Sequence, residues 1–293
     1  MQRLASMLGR LSLATLMSAV GLACGLTTVQ RQAALSLGQA AVTVGSFAAT
    51  TFPEMRQTAI EMNTTDVTIG GHASRADLDE GFHVEHIASR VAAAHALEAY
   101  GELLRTLVEE TQKDELRKAS SRFVASARSV PGRRLADAQY EALGALVEGI
   151  GGMVVEARKA RALERIVPAY KADVDHLCAL LLEDFDPRGL HLAQRFEGAL
   201  QRLDSDAELV LAARGGGPGG PALAVGGMRQ VTDGRALLEV LGGRGRETVR
   251  ALGKANTALD AALRDETFSL DDVRAVATRV ESLAAAVRAL AGS

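Results

Sequence analysis

The chain has 293 residues, a formal net charge of −3, no Trp and 3% aromatic residues. A hydrophobic share of 47% is too high for a disordered chain, and 33 basic against 36 acidic residues is too even a charge load for a polytopic membrane protein. A pI near 6.1 argues against a dedicated nucleic-acid binder, which needs a basic surface to displace counterions. What remains is a mostly soluble globular or elongated protein of one or two domains.

The charge is unevenly placed. Glu54 is the first carboxylate, and only Arg3, Arg10 and Arg31 are charged before it. Residues 1–10 form a short basic segment, and residues 11–23 (LSLATLMSAVGLA) form a mostly apolar run. That run is shorter than the roughly 20 apolar residues needed to span a bilayer. It fits the apolar region of a secretory signal, which is about 7–15 residues long behind a basic start.

Gly21, Leu22, Ala23 and Cys24, followed by Gly25, resemble the lipobox of bacterial lipoproteins, in which small residues stand directly before an invariant Cys. Gly21 departs from the pattern, because Leu or another aliphatic residue is usual there. The resemblance implies cleavage before Cys24, a thioether-linked diacylglycerol on its sulfur and an acyl chain, such as palmitate, on its amine. It also implies a protein held at the membrane by its N-terminal lipid, facing the periplasm. Gly25 is not the Asp that retains many lipoproteins at the inner membrane, so the resemblance favours the outer membrane. Several acyl chains are needed for a stable hold, since each buried methylene contributes about 0.8 kcal/mol. Loss of residues 1–23 removes Arg3, Arg10 and no acid, which moves the net charge from −3 to −5. Ordinary signal cleavage, an uncleaved anchor or a plain core helix are the other readings of this segment.

Beyond residue 25 the apolar spacing is helical, and no segment alternates at the strand period. A first helix is expected over residues 26–62, with a kink or restart at Pro53. Residues 63–74 (NTTDVTIGGHAS) read as a turn-rich connection. From Arg75 to Val130 one long pattern follows, with Ile87, Val91, Ala94, Leu97, Leu104, Leu107 and Leu116 on one face. As a single helix it would be about 80 Å long, so a break between Thr111 and Lys118 is considered. Pro131-Gly132 ends this pattern. A third helix is expected from Leu135 to Ile166, continued past a kink at Pro168 to Phe185. A fourth is expected from Gly189 to Ala213.

Residues 214–222 are a Gly/Pro-rich linker candidate. A short amphipathic piece from Leu223 to Leu241 is bounded by Gly242-Gly243. Val249, Leu252, Asn256, Leu259 and Leu263 then form one seam, and Val273, Val276, Val280, Leu283, Val287 and Leu290 form another. Ser269 and Asp272 make a capping-box-like start for the second seam. Joined by a short turn, the two seams should zip into an antiparallel hairpin, with Asn256 setting its register. The expected fold class is all-α, an elongated antiparallel helical bundle with a C-terminal coiled-coil-like hairpin. The expected division is a signal over 1–23, a long-helix bundle over 24–213, the linker over 214–222, and over 223–293 a short helix and hairpin packed on the same bundle.

Few residues suggest chemistry. Glu80 and His83 form a Glu-x-x-His pair, which places two ligands on one helix face as di-iron bundles require. His83 and His86 are also three apart. A di-iron site needs a second such pair and two more carboxylates, and Asp173 with His176 is only a loose match. Polar residues near an exposed helix start are the simpler account. Cys178 shares an apolar face with Val174, Leu177, Leu181 and Phe185, and reads as a buried hydrophobe. The phosphate-cradle, nucleophile-elbow and zinc-protease motifs are missing from the sequence. Neither catalysis nor a cofactor is expected.

Gln32 to Pro53 runs 22 residues without a charge. Gln32, Ser36, Gln39, Thr43, Ser46 and Thr50 step by four and three into one narrow polar stripe, and Gly38, Ala41 and Gly45 permit close helix approach. Either this is a bundle helix with its stripe toward water or a polar neighbour, or it lines a pore in a membrane-active protein. A second apolar stretch, Leu143 to Val155, carries Gly149, Gly151 and Gly152, and suggests that helices one and three approach closely. The leading expectation is a lipid-anchored envelope protein with a structural or protein-interaction role, a protein partner of unknown identity and no nucleic acid. A pore-forming-like protein and a metal-binding bundle are the alternatives.

Overall fold

The computed structural model describes residues 26–70, 78–109, 113–130, 156–213, 219–264 and 278–286. Among them are α1 (Thr28–Gly70), α2 (Val84–Glu109), α3 (Lys113–Arg128), α4 (Glu156–Asp184), α5 (Leu192–Ala212), α6 (Gly220–Val240), a π-helical turn (Leu241–Gly245) and α7 (Arg246–Leu263). A last helical stretch, α8, covers residues 278–286. No strand occurs among the described residues, and the fold is an all-α helical bundle around one core. The signal and Cys24, the Leu143–Val155 stretch, Ser269 and Asp272, and Val273, Val276, Val287 and Leu290 lie outside the described residues.

α1 is the axis. Its 43 residues make a rod about 65 Å long that packs on α2, α5, α6 and α7. A reciprocal capping box starts it: Thr27 Oγ1 accepts from the Gln30 N–H at 3.1 Å, and the Thr27 N–H donates to Gln30 Oε1 at 3.0 Å. The helix passes through Pro53 and runs to Gly70, so the turn expected from Asn63 is instead helical up to that point. The hydroxyls of Thr64, Thr65 and Thr68 donate to carbonyls four residues back, at Ile60, Glu61 and Thr64. Residues that favour turns when free thus bond within the helix.

The widest interface is between α1 and α2, and it is set by glycine. A methyl group on Gly45 would sit 2.6 Å from the Ala94 carbonyl oxygen, and one on Gly38 2.8 Å from that of Gly101. One on Gly101 would collide with the Gly38 carbonyl in return. The two backbones therefore touch directly, which no other residue type allows here.

The long pattern from Arg75 to Val130 is not one rod. A turn at residues 78–81 precedes α2, and after Glu109 the chain folds back so that α3 lies on α2. Phe123 packs on Tyr100 with ring centres 5.7 Å apart, and Arg122 pairs with Glu102. Both helices carry apolar faces that a straight rod would leave in water, and folding back buries them. The buried Lys159 ammonium of α4 donates to the Val108 carbonyl at 3.2 Å, capping the end of α2 where the helix dipole favours a cation.

α4 runs through Pro168 to Asp184, and its Val174, Leu177, Cys178, Leu181 and Phe185 face is buried as its spacing requires. The turn after it is clamped by ion pairs of Arg90 with Asp184 and Arg246 with Asp186, each at 2.8 Å. α5 and α6 form an antiparallel pair in which Gly234 packs on Leu200, Gly227 on Leu203 and Gly220 on Val210. α6 starts inside the expected linker, at Gly220, with Pro221 in its first turn where a missing N–H costs nothing. Gly242-Gly243 does not break the chain either. It lies in the π turn that joins α6 to α7, where Gly242 abuts Pro187 and Gly245 abuts Phe185.

Every residue of the first C-terminal seam, Val249, Leu252, Asn256, Leu259 and Leu263, is buried. Among the described residues the seam packs on α4 and α1. α8 lies alongside the start of α7, where Arg279 pairs with Glu247 at 2.7 Å and the Thr248 hydroxyl reaches the Arg279 carbonyl; Val280 and Leu283 are buried.

Candidate functional site

The most deeply placed polar residues meet where α2, α4 and α7 converge. Tyr100 and Asn256 have no exposure at all, and the Tyr100 hydroxyl donates to Asn256 Oδ1 at 2.8 Å. The Asn256 amide nitrogen has no hydrogen-bond partner among the described residues. Phe123 closes one side, between Tyr100 and Tyr170. Burial raises the Tyr100 hydroxyl far above its ordinary range, with smaller contributions from Cys178, Asp260 and Asp175. Burial, helped by Asp175, also pushes the Cys178 thiol up to about 12. Such a thiol is protonated at neutral pH, and the thiolate is the nucleophile, so Cys178 sits here as a buried hydrophobe. Asn256 keeps its place in the seam as read from the sequence, but its partner is a tyrosine 156 residues away. Tyr100 stands on the Leu97–Leu104 apolar face, which is the one sequence signal that marked it for burial.

Glu80 lies in the turn before α2, His83 directly before its first residue and His86 in its first turn. Glu80 and His86 are exposed. His83 Nδ1 lies 3.4 Å from Asp79, whose carboxylate is also held by Arg56 at 2.9 Å. The Arg56 guanidinium donates in addition to the Phe82 carbonyl at 3.0 Å. These contacts fasten the turn to α1. The rings of His83 and His86 meet edge to face at 5.8 Å. Among the described residues no three His, Cys, Asp or Glu side chains gather as metal ligands. Asp173 and His176 lie elsewhere, in an apolar cleft lined also by Ala96, Phe123, Ala127 and Leu177. Ala96 is ~20 Å along α2 from His83.

The uncharged stretch of the first helix is packed along one side of the bundle. Ala33, Ala34, Leu37, Ala40, Ala41, Val44 and Ala48 are in the core. Gln32, Gln39, Ser46 and Thr50 face water, and Ser36 and Thr43 are half-buried at the stripe's edge. The Thr43 and Thr50 hydroxyls donate to the Gln39 and Ser46 carbonyls, so these two members of the stripe bond within their own helix. α1 is long and apolar enough to cross a membrane by length and composition, yet 56% of its most apolar window is buried inside the bundle.

What the fold defines, then, is a helical bundle with a buried tyrosine–asparagine pair in its core. The chain matches no family model, no curated protein and no solved structure.

Proposed function

We propose that this is a lipid-anchored protein of the bacterial envelope, held by Cys24 and facing the periplasm, with a structural or protein-interaction role and no catalysis. The observation that carries the reading is how α1 uses its surface. Its apolar face is committed to the bundle and most of its stripe to water, which supports an attachment made by other residues, such as Cys24. Leu26, two residues after Cys24, already packs against the core, which sets the bundle close to the anchoring point. Gly25 favours the outer membrane. A protein partner would meet the polar helix faces.

Acyl label on Cys24 with globomycin-sensitive processing tests this directly. Loss of both in Cys24→Ser is the expected result, and an unlabelled mature protein of intact mass starting elsewhere would overturn it. Release of dye from vesicles by the purified protein would move the reading to the pore-forming alternative.

A further inference from the structure

Two sets of helices meet on α1. Toward Thr28, Gly38 and Gly45 pack on α2, and the Gln30 side-chain amide donates to the Ala262 carbonyl of α7 at 3.1 Å. Toward Gly70, Thr65 packs beside Gly227 of α6. There Arg56 and Asn63 hold the turn at residues 78–82, whose Phe82 ring meets Phe196 of α5 at 6.1 Å. Among the described residues α5 and α6 pack on each other and on α1, and have no broad contact with α2, α3, α4 or α7.

Each segment that passes between the two sets is weakened at one level. α1 passes through Pro53, which has no N–H to give the Ala49 carbonyl. α4 leads to α5 through a turn that carries Pro187 and Gly189. α6 leads to α7 through the π turn, with Gly242, Gly243 and Gly245. The turn before α2 is tied to α1 at Arg56, about one helical turn past Pro53. Phe185 marks the level, with its ring 6.0 Å from Phe47 and 5.9 Å from Phe52 and its edge against Gly245, while Gly242 abuts Pro187. Ion pairs of Arg90 with Asp184 and Arg246 with Asp186 tie the end of α4 to α2 and α7, and so close the rim of the set on the Thr28 side.

Helices bend at proline, at glycine pairs and at π turns, and a hinge is a few such residues that absorb the dihedral change. One of them alone is a local irregularity; together at one level they make a joint. We propose that the molecule flexes at Phe185. Residues 54–70 of α1 with α5 and α6 form an arm, and residues 28–52 with α2, α4 and α7 form the body. The arm is then the part of the surface that adjusts its angle to a partner, however the chain is attached.

Spin-label distances in the full chain carrying Cys24→Ser test this, since buried Cys178 takes no label. Exposed positions serve as sites. Gln39→Cys with Ser205→Cys, and Lys254→Cys with Thr232→Cys, report across the joint. Gln39→Cys with Lys254→Cys reports within the body, and Gln57→Cys with Ser205→Cys within the arm. Domain bending should make the two crossing distributions roughly twice as wide as the two internal ones. Pro53→Ala with Gly243→Ala supplies a helix former at an exposed site and at one where a methyl meets nothing within 4 Å. This double variant should narrow the crossing distributions to the internal width and leave the internal ones unchanged. Equal widths in the parent chain would overturn the hinge, and so would crossing distributions that the double variant leaves as wide as before. The comparison in the parent chain decides by itself whether the arm moves, even if the double variant fails to fold.

Discussion

At the scale of single residues, what matters is whether a side chain has room. Gly45 and Gly198 are both helical glycines, and intrinsic helix propensity alone favours alanine at each by about 1 kcal/mol. A methyl at Gly198 meets nothing within 4 Å, whereas one at Gly45 meets the backbone of α2. Gly198→Ala should therefore raise stability by about 0.5–1 kcal/mol, and Gly45→Ala should lower it by about 1–3 kcal/mol through forced separation of the helices. Urea unfolding of the two variants checks the opposite signs. Titration gives a second expectation. Cys178 goes from 9.0 to about 12 on burial, and Tyr100 rises from 10.0. Both are raised in the folded chain, so their contribution is whole below the unfolded values and is lost as pH climbs past them. Stability should begin to fall near pH 9 and steepen above 10, by about 1.4 kcal/mol per pH unit for each group. Cys178→Ala should delay the onset to near pH 10, as read by melts across that range. Glycine count and cysteine position were legible beforehand; the space around each was not, because it depends on backbones distant in sequence.

At the scale of elements, α1 carries the sharpest contrast. Its stripe and its apolar face were both readable from spacing, but spacing leaves open whether the stripe meets water or lines a pore. In the bundle Ser46 faces solvent and Ala41 is buried. Ser46→Glu should change stability by no more than about 0.5 kcal/mol, while Ala41→Glu, an unpaired charge in the core, should prevent the cooperative melt or cost more than about 4 kcal/mol. Circular dichroism melts of both variants decide it, and a severe loss at position 46 would count against the packing of α1. The seam from Val249 to Leu263 teaches the same point. Its burial followed from its steps of three and four, and among the described residues it meets α4 and α1 as well as α8, because a period specifies a face and not the neighbours that meet it. The fold-back after Glu109 likewise appeared in the sequence only as a place where a break was conceivable.

At the scale of the whole molecule, α1 sets the length. A compact chain of this size has a radius of gyration of about 19 Å, and a straight helix of about 65 Å does not fit within such a sphere. Small-angle scattering of the monomer should give a larger value, and one at the compact figure would contradict the extended axis. By itself the sequence determined the all-α class, the buried faces of α2, α4 and α7, and the thiol's place in the core, because helical period and composition are local properties of the chain. Tertiary structure alone decided that Gly38 meets Gly101 and Gly45 the backbone of Ala94, that Tyr100 serves Asn256, and that Gly242-Gly243 joins two helices rather than parting them. Each of these rests on a contact between segments far apart in sequence, and such contacts are chosen by the closest packing the whole set of faces permits.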